Sequence, residues 1–158
     1  MKLFLVRHGD AVPEYVDTAR PLSKDGRQEI EKIAQFLKEK QVKVDLLLTS
    51  DKKRAEETAD ILADGLGFQG PRETRKELGP SAQVLDLLQI VEEAALTQPD
   101  WNLMIVGHLP SIYLLAKALL PDSTIPEGLF KTGTAVWLSF DRQQGWTLED
   151  FISPYHLV

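Results

Sequence analysis

The chain has 158 residues, a net charge of −6, 43% hydrophobic and 27% charged residues, and no cysteine. That length suits a single domain over residues 1–158 with a substantial buried core, and the acidic balance argues against a nucleic-acid partner. The lack of cysteine excludes disulfides and thiolate metal sites and fits a cytoplasmic protein. No apolar run is long enough to span a membrane and no secretory signal precedes the first predicted strand, so no membrane partner is expected.

Lys2–Val6, with the apolar run Leu3–Val6, predicts a buried strand that passes directly into Arg7-His8-Gly9. Ser23 is placed to cap a helix in which Ile30, Ile33, Ala34 and Leu37 return at helical spacing. Val44–Thr49 predicts a second strand, and Asp51–Leu66 a helix with Ala55, Ala59, Leu62 and Leu66 on one side. Gly65, Gly67 and Gly70-Pro71 read as the punctuation that ends it. Arg72–Leu78 follows as a short extended piece. Val84–Leu96 is a helix with Val84, Leu87, Leu88, Val91 and Ala95 on one stripe, Leu103–Val106 a third buried strand, and Ser111–Leu120 the next helix. Ala135–Phe140 and Trp146–Ile152 read as a hairpin joined by Asp141-Arg142-Gln143-Gln144-Gly145.

This alternation predicts an α/β fold, a mainly parallel sheet flanked by helices on both faces with antiparallel strands at the edge. Asp10–Pro21 and Pro121–Thr134 are the longest loops and the expected frame of a binding site.

In such a sheet ligands bind beyond the carboxyl ends of the strands. Arg7 and His8 close the first predicted strand and Gly107-His108-Leu109-Pro110 closes the third, so two histidines face one edge. Arg54, early in the helix after the second strand, is placed over the same edge. An arginine fork fits a phosphate, and an imidazole nitrogen attacks an electrophile to form a covalent intermediate. Arg7, His8, Arg54 and His108 together suit a phosphoryl group, one histidine attacking in line and the other donating to an equatorial oxygen. Gly9 is expected to allow unusual backbone angles or a close ligand approach.

Taken singly, each residue has a plainer role. A strand-end histidine is commonly just hydrogen-bonded, Arg54 has Glu57 or Asp51 as ion-pair partners, and Gly107 and Pro110 suit a strand exit and a helix start. Their conjunction at successive strand ends, in a chain with only 3 histidines, favours the chemical role. No metal is expected: two histidines without cysteine or a His-x-x-x-His pair supply too few ligands, and the arginines repel a dication. His156, in the terminal Pro154-Tyr155-His156 stretch, is assigned no role.

Together these residues resemble the histidine phosphatase (phosphoglycerate mutase-like) superfamily, and within it the small SixA-type phosphohistidine phosphatases. The superfamily's Arg-His-Gly stands at residues 7–9. The SixA-like pattern runs through Arg7-His8-Gly9-Asp10-Ala11, Arg20-Pro21-Leu22-Ser23-x-x-Gly26-Arg27 and Ser50-x-x-x-Arg54-Ala55-x-x-Thr58. Glu77-Leu78-x-Pro80 and Gly107-His108-Leu109-Pro110 complete it, in family order over essentially the whole chain. The resemblance implies a phosphoglycerate mutase-like fold without a cofactor. It implies His8 as the phosphorylated nucleophile, Arg7 and Arg54 as phosphoryl-binding groups, and His108 as the residue completing the pocket. Arg20, from the first long loop, is a further candidate contact, its alternative being an ion pair with Asp17 or Asp25. Asp51 stands where many relatives carry proline and Glu57 where they carry glutamine, departures that bear on substrate fit more than on catalysis.

Larger members of the superfamily protonate an alkoxide leaving group with a carboxylic acid, whereas SixA-type members lack a clear equivalent. Glu77 and Asp10 are the candidate acids here; the alternative for Glu77 is a surface carboxylate beside Arg75 and Lys76. A carboxylate among cations is held ionised and makes a poor acid near neutrality. Phosphohistidine relieves that demand, because the departing imidazole has a pKa of roughly 6.5 and leaves far more readily than an alkoxide. The expectation is a cofactor-independent phosphatase acting through phospho-His8 on a phosphorylated histidine-containing protein, such as a phosphorelay domain. The alternatives are a phosphatase for small phosphorylated molecules and a phosphate-binding or interaction module without turnover.

Overall fold

In the computed structural model, which describes residues 1–157, the runs Leu3–Val6 and Leu103–Val106 lie side by side within the sheet. They belong to β1 (Lys2–Arg7) and β4 (Asn102–Gly107), which pair in parallel. Neither strand alternates apolar with polar residues, because both faces are covered. Leu3, Leu5, Leu103 and Ile105 pack to one side, and Phe4, Val6, Met104 and Val106 to the other.

β2 (Leu46–Thr49) adds in parallel beside β4, and β3 (Arg72–Thr74) beside β2. On the far side β5 (Ala135–Asp141) pairs antiparallel with β1, and β6 (Gly145–Ile152) with β5. The sheet order is therefore β3-β2-β4-β1-β5-β6, the mainly parallel sheet with an antiparallel edge that the sequence predicts. Helices α1 (Lys24–Glu39) and α2 (Lys53–Leu66) cover the Phe4 face; α3 (Val84–Thr97) and α4 (Ser111–Leu119) cover the Leu3 face.

Several boundaries differ from the sequence reading for local reasons. β2 begins at Leu46 rather than Val44; at its start the Asp45 carboxylate accepts the Asn102 N–H at 2.7 Å. α2 begins at Lys53, two residues later than expected, because Asp51 and Lys52 form a bend in which Ser50 Oγ accepts the Lys52 N–H at 3.3 Å. Gly67 does end α2, with φ +64°, but Gly65 does not. It lies inside the helix, where a Cβ would come within 2.5 Å of Ala34 Cβ, so it lets α1 and α2 approach closely. The piece Arg72–Leu78 divides into β3 and a 3-10 turn at Lys76–Leu78.

Candidate active site

The parallel pairing sets Arg7 level with Gly107, so the chain leaves both central strands at the same height. The His8 amide donates to the Gly107 carbonyl at 3.1 Å and ties the two exits together. In consequence the His8 and His108 rings stand 4.9 Å apart between centroids, tilted by 55°. Both residues are buried.

The two rings are held by opposite nitrogens. His8 Nδ1 lies 2.7 Å from the Gly9 carbonyl, which only accepts, so Nδ1 carries the hydrogen and Nε2 keeps its lone pair. His108 is engaged through Nε2, 2.7 Å from Ser50 Oγ. Burial pulls the His8 pKa down to about 4, helped by the charges of Arg54, Arg7 and Arg20 and opposed by the Gly9 hydrogen bond. Burial, with His8, Arg54, Lys52 and Arg7 adding to it, pulls His108 down to about 3. Both imidazoles are therefore neutral at pH 7.

The two arginines supply the positive charge. Arg7 Nη1 donates to the Phe130 carbonyl at 2.8 Å, which anchors the guanidinium to the loop before β5. The Nε atoms of Arg7 and Arg54 are buried without a hydrogen-bond partner among the described residues. A buried donor left unpaired costs free energy, and each such atom calls for an explanation such as a catalytic role or a bound water or ion. Burial also lowers both guanidinium pKa values, although an arginine remains cationic at neutral pH. The arrangement offers an unprotonated imidazole nitrogen within the field of cationic side chains, which suits a tetrahedral oxyanion.

The sequence blocks that flank these residues hold the histidine loop in place. Thr58 Oγ1 accepts the Gly9 N–H at 3.0 Å and donates to the Arg54 carbonyl at 2.7 Å, so one hydroxyl joins the Arg54 turn to the loop. Gly9 has no unusual backbone angle, and a Cβ there would meet the Gly26 carbonyl and Ile30 Cγ1, each at 3.0 Å. Its smallness serves the packing of α1 rather than the ligand approach expected from sequence. At Gly26 a Cβ would fall 2.1 Å from the Asp10 carbonyl oxygen. The Arg-Pro-Leu-Ser-x-x-Gly block thus docks the start of α1 against the Arg-His-Gly loop.

The remaining sequence candidates divide. Arg20 comes to the site: its charge acts on both His8 and Arg54, its Nε donates to the Val12 carbonyl at 3.2 Å, and its φ is +48°. Neither Asp17 nor Asp25 pairs with its side chain among the described residues. Asp10 turns to the N-cap of α1, where its Oδ2 accepts the Ser23 hydroxyl at 2.7 Å. Glu77 faces Arg75 Nη1 at 3.2 Å and lines an open cavity of about 320 Å³ shared with Lys52. Glu57 does not pair with Arg54; it takes the Leu22 N–H at 2.8 Å and Arg27 at 2.6 Å, bracing α1 against α2. Sequence reading gave no role to Ser50, Thr58 or Lys52. The signal for Thr58 was its position four residues after Arg54, on the same helix face.

Comparison with known proteins identifies the family and the fold. The family model "Histidine phosphatase superfamily (branch 1)" matches residues 3–79. The phosphohistidine phosphatase SixA of Escherichia coli (strain K12) is 30% identical over 158 residues, 99% of this chain and 96% of that protein. A solved structure of the protein histidine phosphatase SixA complexed with tungstate superposes with a TM-score of 0.85 at 29% identity, covering 98% of each chain. A mycobacterial glucosyl-3-phosphoglycerate phosphatase shares the fold, with a TM-score of 0.72 at 18% identity over 96% of this chain and 99% of that one. The chain belongs to the histidine phosphatase superfamily and is a phosphatase, with its likeness to SixA running along its whole length.

Proposed function

We propose that the protein is a cofactor-independent phosphohistidine phosphatase that acts on a partner protein through a phospho-His8 intermediate. The orientation of His8 carries the reading: Nδ1 is spent on the Gly9 carbonyl, leaving Nε2 unprotonated beside Arg7 and Arg54. In the first step Nε2 attacks phosphorus in line, the bond from phosphorus to the substrate imidazole breaks, and that imidazole leaves with its electron pair and takes a proton from solvent. Arg7, Arg54 and His108 donate to the phosphoryl oxygens as charge spreads over them. In the second step water attacks the phosphorus of phospho-His8, His8 leaves as the neutral ring, and phosphate departs. The tungstate held by the related SixA structure is a tetrahedral oxyanion like phosphate, which supports an oxyanion pocket here.

The carboxylates support this substrate class. Asp10 is committed to Ser23 and Glu77 faces Arg75, so neither stands ready to protonate an alkoxide. A phosphoramidate demands less acid help than an ester. One feature favours small phosphate esters as a second reading: Glu77 lines the cavity that also holds Lys52, whose charge acts on His108.

The test is incubation with a phosphohistidine-bearing protein and, in parallel, with a panel of phosphomonoesters. Turnover of the first, with an acid-labile, base-stable phosphoryl adduct on His8, is expected. Turnover confined to esters, or a His8→Ala variant that keeps both the adduct and full activity, removes the reading.

A further inference from the structure

Ser50 follows the last residue of β2 and is fully buried, at the third strand exit of the cluster. Its Oγ lies 2.7 Å from His108 Nε2 and accepts the Lys52 N–H at 3.3 Å. A hydroxyl has one hydrogen to donate and two lone pairs to accept with. If Nε2–H donated to Ser50, the hydroxyl would accept twice, and its own hydrogen would be left buried with no acceptor among the described residues. If Ser50 donates to Nε2, every hydrogen in the chain from Lys52 to His108 is used. The single hydrogen of a neutral ring must then sit on Nδ1. The backbone of His108 is fixed separately, since Ser111 Oγ donates to its carbonyl at 3.0 Å.

We propose that Ser50 is a positioning residue that holds His108 as its Nδ1–H tautomer and so makes it a hydrogen-bond donor to the phosphoryl group. The catalytic consequence rests on the phosphoryl-transfer reading above; the tautomer itself does not. With the hydrogen on Nδ1, His108 offers a donor to the phosphoryl oxygens. On the other tautomer the Nδ1 lone pair would face those oxygens, and attraction would become repulsion. Sequence position conceals this link because Ser50 and His108 are 58 residues apart. It also gives a reason for the late start of α2, since the bend at Asp51 and Lys52 supplies the amide that orients the Ser50 hydroxyl.

The direct experiment is a two-bond 15N–1H correlation spectrum of the 15N-labelled full chain, with His108→Gln to assign the signals. The wild type is expected to show His108 as Nδ1–H, and Ser50→Ala to show a mixture containing Nε2–H. Wild-type His108 in the Nε2–H form overturns the proposal, whatever the activity.

Kinetics supply the second readout. Ser50→Ala is expected to lose about 10- to 100-fold in kcat, part of the loss typical of removing one transition-state donor, while Ser50→Thr keeps most of the activity through its hydroxyl. In a His108→Ala background, Ser50→Ala should cost no more than about twofold, because its effect passes through the missing ring. A full further loss there overturns the proposal. Should no phosphohistidine substrate turn over at all, the proposed function fails while the spectra still decide the role of Ser50.

Discussion

The floor of the site and its rim are built differently. The floor consists of residues 7–9, 50, 54, 58 and 108, carried on strand exits and the first turns of α2. His8, Ser50, Thr58 and His108 are all buried there; hydrogen bonds link His8 to Gly9 and Gly9 to Thr58, and separately Ser50 to His108. The loops expected from the sequence to frame the site expose Tyr15, Val16 and Leu129, and Glu77, grouped with the rim, faces a partly exposed arginine. Rigid elements fix reacting groups to the tolerance that chemistry needs, whereas exposed loop residues are free to meet a partner. On the proposed function, phosphoryl chemistry belongs to the floor and substrate choice to the rim, and each is expected to respond to different substitutions.

His8→Ala is the strongest test of the floor. It should abolish the phosphoenzyme and reduce turnover by about 10⁴-fold or more, the scale seen when a covalent nucleophile is removed, as read by single-turnover labelling. Arg54→Ala should cost about 10²- to 10³-fold in kcat/KM, and Arg54→Lys should restore only part of it, since a lysine cannot reproduce the planar fork. Thr58→Val removes the hydroxyl shared by Gly9 and the Arg54 turn. It should lower stability by about 1–3 kcal/mol through the unpaired Gly9 amide, measured by denaturant unfolding, with a parallel fall in turnover.

At the rim Glu77→Gln should change phosphohistidine turnover by no more than about twofold, because a departing imidazole needs little acid help. A large loss confined to esters in that variant would move an acid from rim to floor and blur the distinction drawn above.

The acid limb of the pH profile examines the floor as a whole. The pKa of His8 is depressed to about 4, so after subtraction of uncatalysed phosphohistidine hydrolysis, activity should hold on descending from pH 8 to 5 and fall through about pH 4. A fall centred near the free imidazole value of roughly 6.5 would mean that the ring is not kept neutral by its surroundings. Stability follows the same sign. A depressed histidine pKa means that the unfolded chain binds more protons below roughly pH 6.5, so stability declines as pH falls from there toward 4. His108→Gln should flatten that decline.

The fold was legible where the residue pattern had one physical interpretation. Unbroken apolar runs at Leu3–Val6 and Leu103–Val106 mean strands covered on both faces, and the Ser23 cap is set by local chemistry, with its Oγ accepting the Gly26 N–H at 3.0 Å. Glycines were less legible. Gly9 and Gly65 owe their identity to a neighbouring helix, at Gly26 and Ile30 in one case and Ala34 in the other, and no local pattern announces a contact so distant in the chain. The residue types of the candidate site stand out because cations and histidines at strand ends are conspicuous. Ser50 and Thr58 stand in the motif around Arg54, but their partners His108 and Gly9, like the Phe130 carbonyl that holds Arg7, are distant in the chain and are found only by three-dimensional proximity.

The level pairing of Arg7 with Gly107 has a consequence for how this chain tolerates changes in length. About a hundred residues separate the two histidines, and the turn at Gln143 and Gln144, at the far edge of the sheet, can take an insertion without moving either of them. The count inside β1 or β4 has no such freedom. Removing one residue from Leu3–Val6 or Leu103–Val106 shifts that strand by about 3.3 Å and exchanges its two faces. The site is thus written as a matched ruler, insensitive to an insertion at the far edge of the sheet but intolerant of any error in the count within its two marks.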